Sequence, residues 1–173
     1  MRAEAQLGEL QLGVAGAYGP AVSARSGAGL VIGVAPGRLA YVGLRWTRYS
    51  GSQRFVLSPG GEIDVRTLSQ VIAADVAVMI PAGPLDLMPG VTIGDAHFTQ
   101  LQKRLGVEGV IARDELWVAP GVAAEIHLGR LAIIPEVQYA LAGRTEFPFE
   151  VARGGMMMSV RLVWTKELRR ITR

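Results

Sequence analysis

Along most of the chain, apolar residues alternate one by one with small or polar ones, the period of a two-faced β-strand. From Leu10 the even positions Leu10, Leu12, Val14 and Tyr18 are apolar, against Glu9, Gln11, Gly13, Ala15 and Ala17. The same parity continues in Ala28, Leu30, Ile32 and Val34, against Gly29, Val31, Gly33 and Ala35. A third run sets Ala40, Val42, Leu44 and Trp46 against Tyr41, Gly43, Arg45, Thr47 and Tyr49. A fourth sets Ile72, Ala74, Val76, Val78 and Ile80 against Ala73, Asp75, Ala77 and Met79. The fifth, Leu85 to Gly94, carries Pro89 on its apolar face.

The segment Val118 to Gly143 contains two more runs, divided by Gly129 and Arg130. Val118, Val122, Ala124, Ile126 and Leu128 share one face, opposite Trp117, Gly121, Ala123, Glu125 and His127. The return strand turns Ile133, Val137, Tyr139 and Leu141 one way and Ala132, Ile134, Glu136, Gln138 and Ala140 the other. The last run opposes Met156, Met158, Val160, Leu162 and Trp164 to Met157, Ser159, Arg161 and Val163. Eight strands are therefore predicted. Their connections alternate between very short turns ("PGR", "PAGP", "GR") and long polar or Gly-rich loops, above all Ser50 to Thr67 and His97 to Asp114. That alternation is the habit of a transmembrane barrel, with short turns at the periplasmic end and long loops outside.

The polar face is also the small face, which suits a narrow interior, while Leu, Ile, Val and Trp on the other face suit hydrocarbon. A closed antiparallel sheet also satisfies every backbone group, as a membrane requires. A soluble barrel of lipocalin type would show the same alternation turned inside out. Tyr18, Trp46, Tyr139 and Trp164 fall on the lipid-facing parity and are predicted to lie at the interfaces.

Composition agrees with a chain for which water is not the only solvent. Half of the 173 residues are hydrophobic and 19% are charged, against about 25% for average globular domains. No stretch of 18 uninterrupted apolar residues occurs, so the helical membrane class lacks its defining segment. The absence of cysteine removes disulfides and thiolate chemistry. The net charge of +3 is concentrated in the final "KELRRITR". The expected organisation is a barrel over residues 1–165 and a short basic tail over 166–173. The start, "MRAEAQLGEL", has no apolar signal-peptide core, so an export signal is expected to have been removed before this form.

From Glu9 to Thr165 the chain resembles the small eight-stranded outer-membrane barrels, the group containing the OmpA transmembrane domain and the OmpX/Ail-like proteins. The shared motif is the final strand, where Ser159, Leu162 and Trp164 match the small residue, spaced hydrophobics and terminal aromatic read by the insertion machinery; Ser159 stands where glycine is usual, and the chain runs on past the aromatic. The resemblance implies an all-β, up-and-down antiparallel barrel in the bacterial outer membrane of a Gram-negative envelope. It implies lipid, lipopolysaccharide and the barrel insertion machinery as partners, with a further envelope partner engaged by the loops or the tail.

The interior is expected to hold Glu9, Gln11, Tyr41, Arg45, Asp75, Glu125, His127, Glu136, Gln138 and Arg161. Charges in a narrow lumen must pair, because one left alone costs several kcal/mol. Arg45 and Arg161 facing Glu125, Glu136 and Asp75 is the expected arrangement, a structural plug and not a bulk pore. A lipid A-modifying enzyme is the other membrane alternative, but no short Ser/His arrangement accompanies His97 or His127. No catalytic residue, cofactor or metal centre is predicted, and no basic stripe interleaved with aromatics points to nucleic acid.

Overall fold

The computed structural model describes residues 6–19, 25–37, 39–57, 61–104, 107–142 and 155–169. Nine strands follow one another: β1 (Gln6–Tyr18), β2 (Ser26–Pro36), β3 (Ala40–Leu57), β4 (Gly61–Val78), β5 (Ile80–Ala82), β6 (Leu85–Arg104), β7 (Val107–Leu128), β8 (Leu131–Ala142) and β9 (Gly155–Arg169). Each pairs antiparallel with its neighbours in the order β4-β3-β2-β1-β9-β8-β7-β6-β5, and a β4–β6 ladder closes the ring. Because β5 only continues β4 beyond Met79 along the same partner, β6, the ring has eight strands. Among the described residues no helix is long and apolar enough to cross a membrane.

Local sequence explains the tight end of the barrel. Gly37, Gly83 and Gly129 take positive φ values of 59°, 70° and 73° in the three short turns, a region that side chains with a Cβ rarely enter. Pairing between β7 and β8 skips residues around Pro120 and Pro135, which lack the amide hydrogen a ladder needs.

Side-chain orientation follows the alternation. Leu12, Leu30, Leu44, Val76, Val122, Val137 and Leu162 are exposed on the outer wall, whereas Val31, Tyr41, Met88, Ile134 and Val163 are buried within the ring. Toward the extension the apolar belt gives way to polar residues. Trp46, Ile72, Asp95 and Leu116 lie side by side in register, and the next outward row is Arg48, Gln70, His97 and Asp114.

Beyond that row the structure departs from the expectation of two long loops. The segments from Ser50 to Thr67 and from His97 to Asp114 are paired strands, with β3 meeting β4 as far as Leu57↔Gly61 and β6 meeting β7 as far as Arg104↔Val107. Along the outer part of β4 the alternation persists with its sign reversed. Ile63, Val65 and Phe98 stay buried on the inner parity, while Arg54, Glu62, Asp64 and Lys103 face outward. Arg54 bonds Asp64 at 2.9 Å, and that hydrogen bond, with the two nearby carboxylates, raises its pKa above the ordinary arginine value. The four-stranded extension β3–β4–β6–β7 outlasts its neighbours, since β2 pairs with β3 only up to Ser26↔Ser50 and β8 with β7 only up to Trp117↔Ala142.

The stretch read as a basic tail begins inside β9: Lys166, Glu167, Leu168 and Arg169 pair with Leu10, Glu9, Gly8 and Gln6 of β1. Residues 170–173 lie outside the described residues, as does the whole connection 143–154.

Candidate functional site

The interior is built in layers. At mid-height Arg45 on β3 forms a fork: Nε donates to Asp75 Oδ2 at 2.9 Å, and Nη2 and Nη1 stand 3.0 Å from Glu136 Oε1 and Oε2. Arg161 on β9 lies 3.9 Å from Asp75 and 3.7 Å from Glu136, and its guanidinium covers the Tyr41 ring at 5.4 Å from the centroid. Two cations and two carboxylates thus balance within one layer, the condition for keeping charge away from water. The remaining lone pairs are also used. Thr92 donates to Asp75 at 2.6 Å, Gln138 to Thr92 at 2.6 Å and to Glu136 at 3.0 Å, and Ser159 to Glu136 at 2.7 Å. The free space beside these groups is about 20 Å³, room for a single water.

Apolar layers lie on both sides. Toward the short turns, Tyr41, Met79, Met88, Ile134 and Val163 pack together. Toward the extension, Trp117 stacks near Tyr49 and Phe98, each at 6.4 Å between centroids, with Val71 and Met157 around them. Glycine makes the first layer possible, because a Cβ on Gly33 or Gly43 would come within 2.5 Å or 2.4 Å of the Tyr41 ring or hydroxyl.

Glu125 does not join the arginines, contrary to expectation. It lies one inward position closer to the turns than Ala123, the partner of Glu136, and the apolar layer separates it from the mid-height network. Instead Gln11 donates to its Oε1 at 2.8 Å, and His127 Nδ1 stands 3.9 Å away. His127 Nε2 lies 3.2 Å from Asp86, and Glu9 belongs to the same cluster.

Tyr18, Trp46, Tyr139 and Trp164 are exposed on the outer wall; in register, Trp46 lies next to the polar row and Trp164 pairs with Leu131 beside a short turn. Of the three last-strand positions, Leu162 and Trp164 face outward and Ser159 faces inward onto Glu136. Asp86 and Thr92 fall on the parity opposite Pro89 in the fifth run, and alternation by itself gives neither a partner. Their roles depend on the register with the adjoining strands β4 and β7, which periodicity does not report. His97 sits 2.5 Å from Asp114 on the outer surface, and neither histidine bonds a hydroxyl among the described residues.

No protein-family model matches the chain, and no curated protein sequence does either. Solved structures do. A major outer membrane protein from Thermus thermophilus superposes with a TM-score of 0.71 at 13% identity, over 93% of this chain and 99% of that one. The N-terminal β-barrel domain of Pseudomonas aeruginosa OprF gives a TM-score of 0.55 at 13% identity, over 91% and 97%. Ail, the attachment invasion locus protein of Yersinia pestis, gives 0.54 at 13% identity, over 92% and 99%. In fold the chain is an eight-stranded barrel of the outer-membrane type, with the apolar wall outside and the ionic groups within.

Proposed function

We propose that the chain is an integral outer-membrane barrel with a plugged lumen, serving as a structural and partner-docking protein of a Gram-negative-type envelope and neither a pore nor an enzyme. The observation that carries the reading is the stack of interior layers, in which the Arg45, Asp75, Glu136 and Arg161 network reaches across the whole ring between two apolar layers. Eight strands enclose a space that side chains fill, so bulk passage has no room. Short turns then face the periplasm, and the basic end of β9 faces it too. Lipopolysaccharide and phospholipid cover the apolar belt, and the insertion machinery reads the last strand through Leu162 and Trp164.

Recognition falls to the four-stranded extension. Within the described residues its outermost strand segments, 51–57 of β3 and 107–116 of β7, have strand partners on one side only, and such edges can accept another extended chain. The test has two readouts on the purified, reconstituted protein and on cells. A planar bilayer should show no stable conductance steps; discrete channels of porin size would overturn the plug. Cells displaying the whole chain should adhere or aggregate more than cells displaying a variant trimmed to Ser50–Thr67 and His97–Asp114 junctions; equal behaviour would overturn the docking role.

A further inference from the structure

The cluster at the short-turn end is unlike the neutral layer at mid-height. Glu9 on β1 and Glu125 and His127 on β7 bring one donor atom each to within 4.8 Å of one another. Glu125 is 0% exposed; its Oε1 accepts from Gln11, but its Oε2 has no hydrogen-bond partner. The Oε1 of Gln11, a side chain only 1% exposed, has none either. Among the described residues no arginine or lysine pairs with Glu125, His127 or Asp86. Two buried acceptors therefore lack a donor, an arrangement that a bound cation would satisfy.

The histidine narrows the choice of cation. An ionised Asp86 can only accept, so the 3.2 Å contact makes Nε2 of His127 the donor. In the neutral imidazole the lone pair is then on Nδ1, the atom that faces Glu125 at 3.9 Å. A carboxylate behind the far nitrogen of a histidine is the usual support of a metal ligand, fixing its tautomer and orientation. Mixed imidazole and carboxylate donors suit zinc-like ions better than calcium or magnesium, which prefer all-oxygen sites. A recess of about 840 Å³ leads to this point from solvent, bordered by Glu9, His127, Arg130, Lys166 and Glu167.

We propose that Glu9, Glu125 and His127 bind a divalent transition-metal ion of the zinc class at the short-turn mouth of the barrel, with Asp86 as the positioning residue for His127. Three protein ligands leave a fourth position open to water, and closing a tetrahedral shell at about 2.0–2.2 Å from each donor draws the three inward by about 1 Å. The ion ties β1 to β7, which are not neighbours in the ring.

The experiment uses the full chain, refolded in detergent without a histidine tag, titrated with cobalt(II) and zinc(II). One cobalt per chain should give the intense visible absorption of a tetrahedral site, and zinc should displace it while calcium and magnesium do not. Glu125→Gln and His127→Gln should each weaken zinc binding by about 100-fold, and Asp86→Asn by about 10- to 100-fold, the range for a lost supporting contact. His97→Gln, on the outer surface, should bind as the parent does. A parent protein without the cobalt spectrum or a zinc heat signal overturns the site, as does equal binding by His127→Gln. If Glu125→Gln fails to fold, the parent spectrum and His127→Gln decide by themselves.

Discussion

Arg45 and Glu136 join opposite walls of the barrel: the guanidinium of β3 meets the carboxylate of β8 at 3.0 Å through two nitrogens, and four steps separate these strands in either direction around the ring. A link of this kind holds the cross-section closed, and its cost in desolvation is offset only while both partners are present.

Replacing Arg45 by Met leaves Asp75 and Glu136 buried with only the more distant Arg161. The expected loss is about 3–5 kcal/mol, read as a lower urea midpoint by tryptophan fluorescence in lipid vesicles. Adding Asp75→Asn and Glu136→Gln should restore much of it, because no uncompensated carboxylate then remains. Unchanged stability of the single variant would show that the fork does not hold the walls.

Gly43→Ala places a methyl group where the Tyr41 hydroxyl lies, 2.4 Å from the new carbon. Overpacking of this sort costs about 1–3 kcal/mol. In a Tyr41→Ala background the same change should cost far less, so a double-mutant cycle in urea isolates the clash. Additive effects would place the strain elsewhere.

Leu44→Arg puts a charge in the middle of the apolar belt and should destabilise the inserted barrel by about 2–4 kcal/mol. Gln70→Arg, in the polar row above it, should change stability by no more than about 1 kcal/mol. Similar costs at both positions would mean that the belt does not end where its composition changes.

A variant with both extension hairpins shortened to the polar row should still migrate as a compact band in SDS and shift only on boiling. The closed ring below Arg48, Gln70, His97 and Asp114 keeps all of its ladders in that variant. Loss of the heat-dependent shift would show that the extension is needed for closure.

The ring itself was legible because two environments impose two chemistries at a period of two. Leu44 beside Arg45, or Ile126 beside Glu125, admits one assignment of faces once the small residues are counted with the polar ones. The extension was hidden because a lipid-facing strand is recognised by apolar residues pointing outward, and along β4 from Glu62 to Arg66 they point inward. Ile63 and Val65, set between Glu62, Asp64 and Arg66, carry the same period in opposite phase and were the available signal. The pairing of charges was only partly legible. Arg45, Asp75, Glu136 and Arg161 assemble as the need for neutrality predicts, whereas Glu125 pairs at another height, which depends on register and not on alternation.

The phase reversal along β4 has a mechanical meaning. On its outward positions one continuous strand passes from Val76 and Ile72, which belong in oil, to Gln70, Arg66, Asp64 and Glu62, which belong in water, with Leu68 as the apolar exception among them. Such a strand works as a float line: sinking would drown Arg66 in hydrocarbon and rising would strand Ile72 in brine. The nine steps from Gly61 to Gln70 therefore stand at a set elevation, about 30 Å of chain measured along the strand, holding any docking edge clear of the lipid surface.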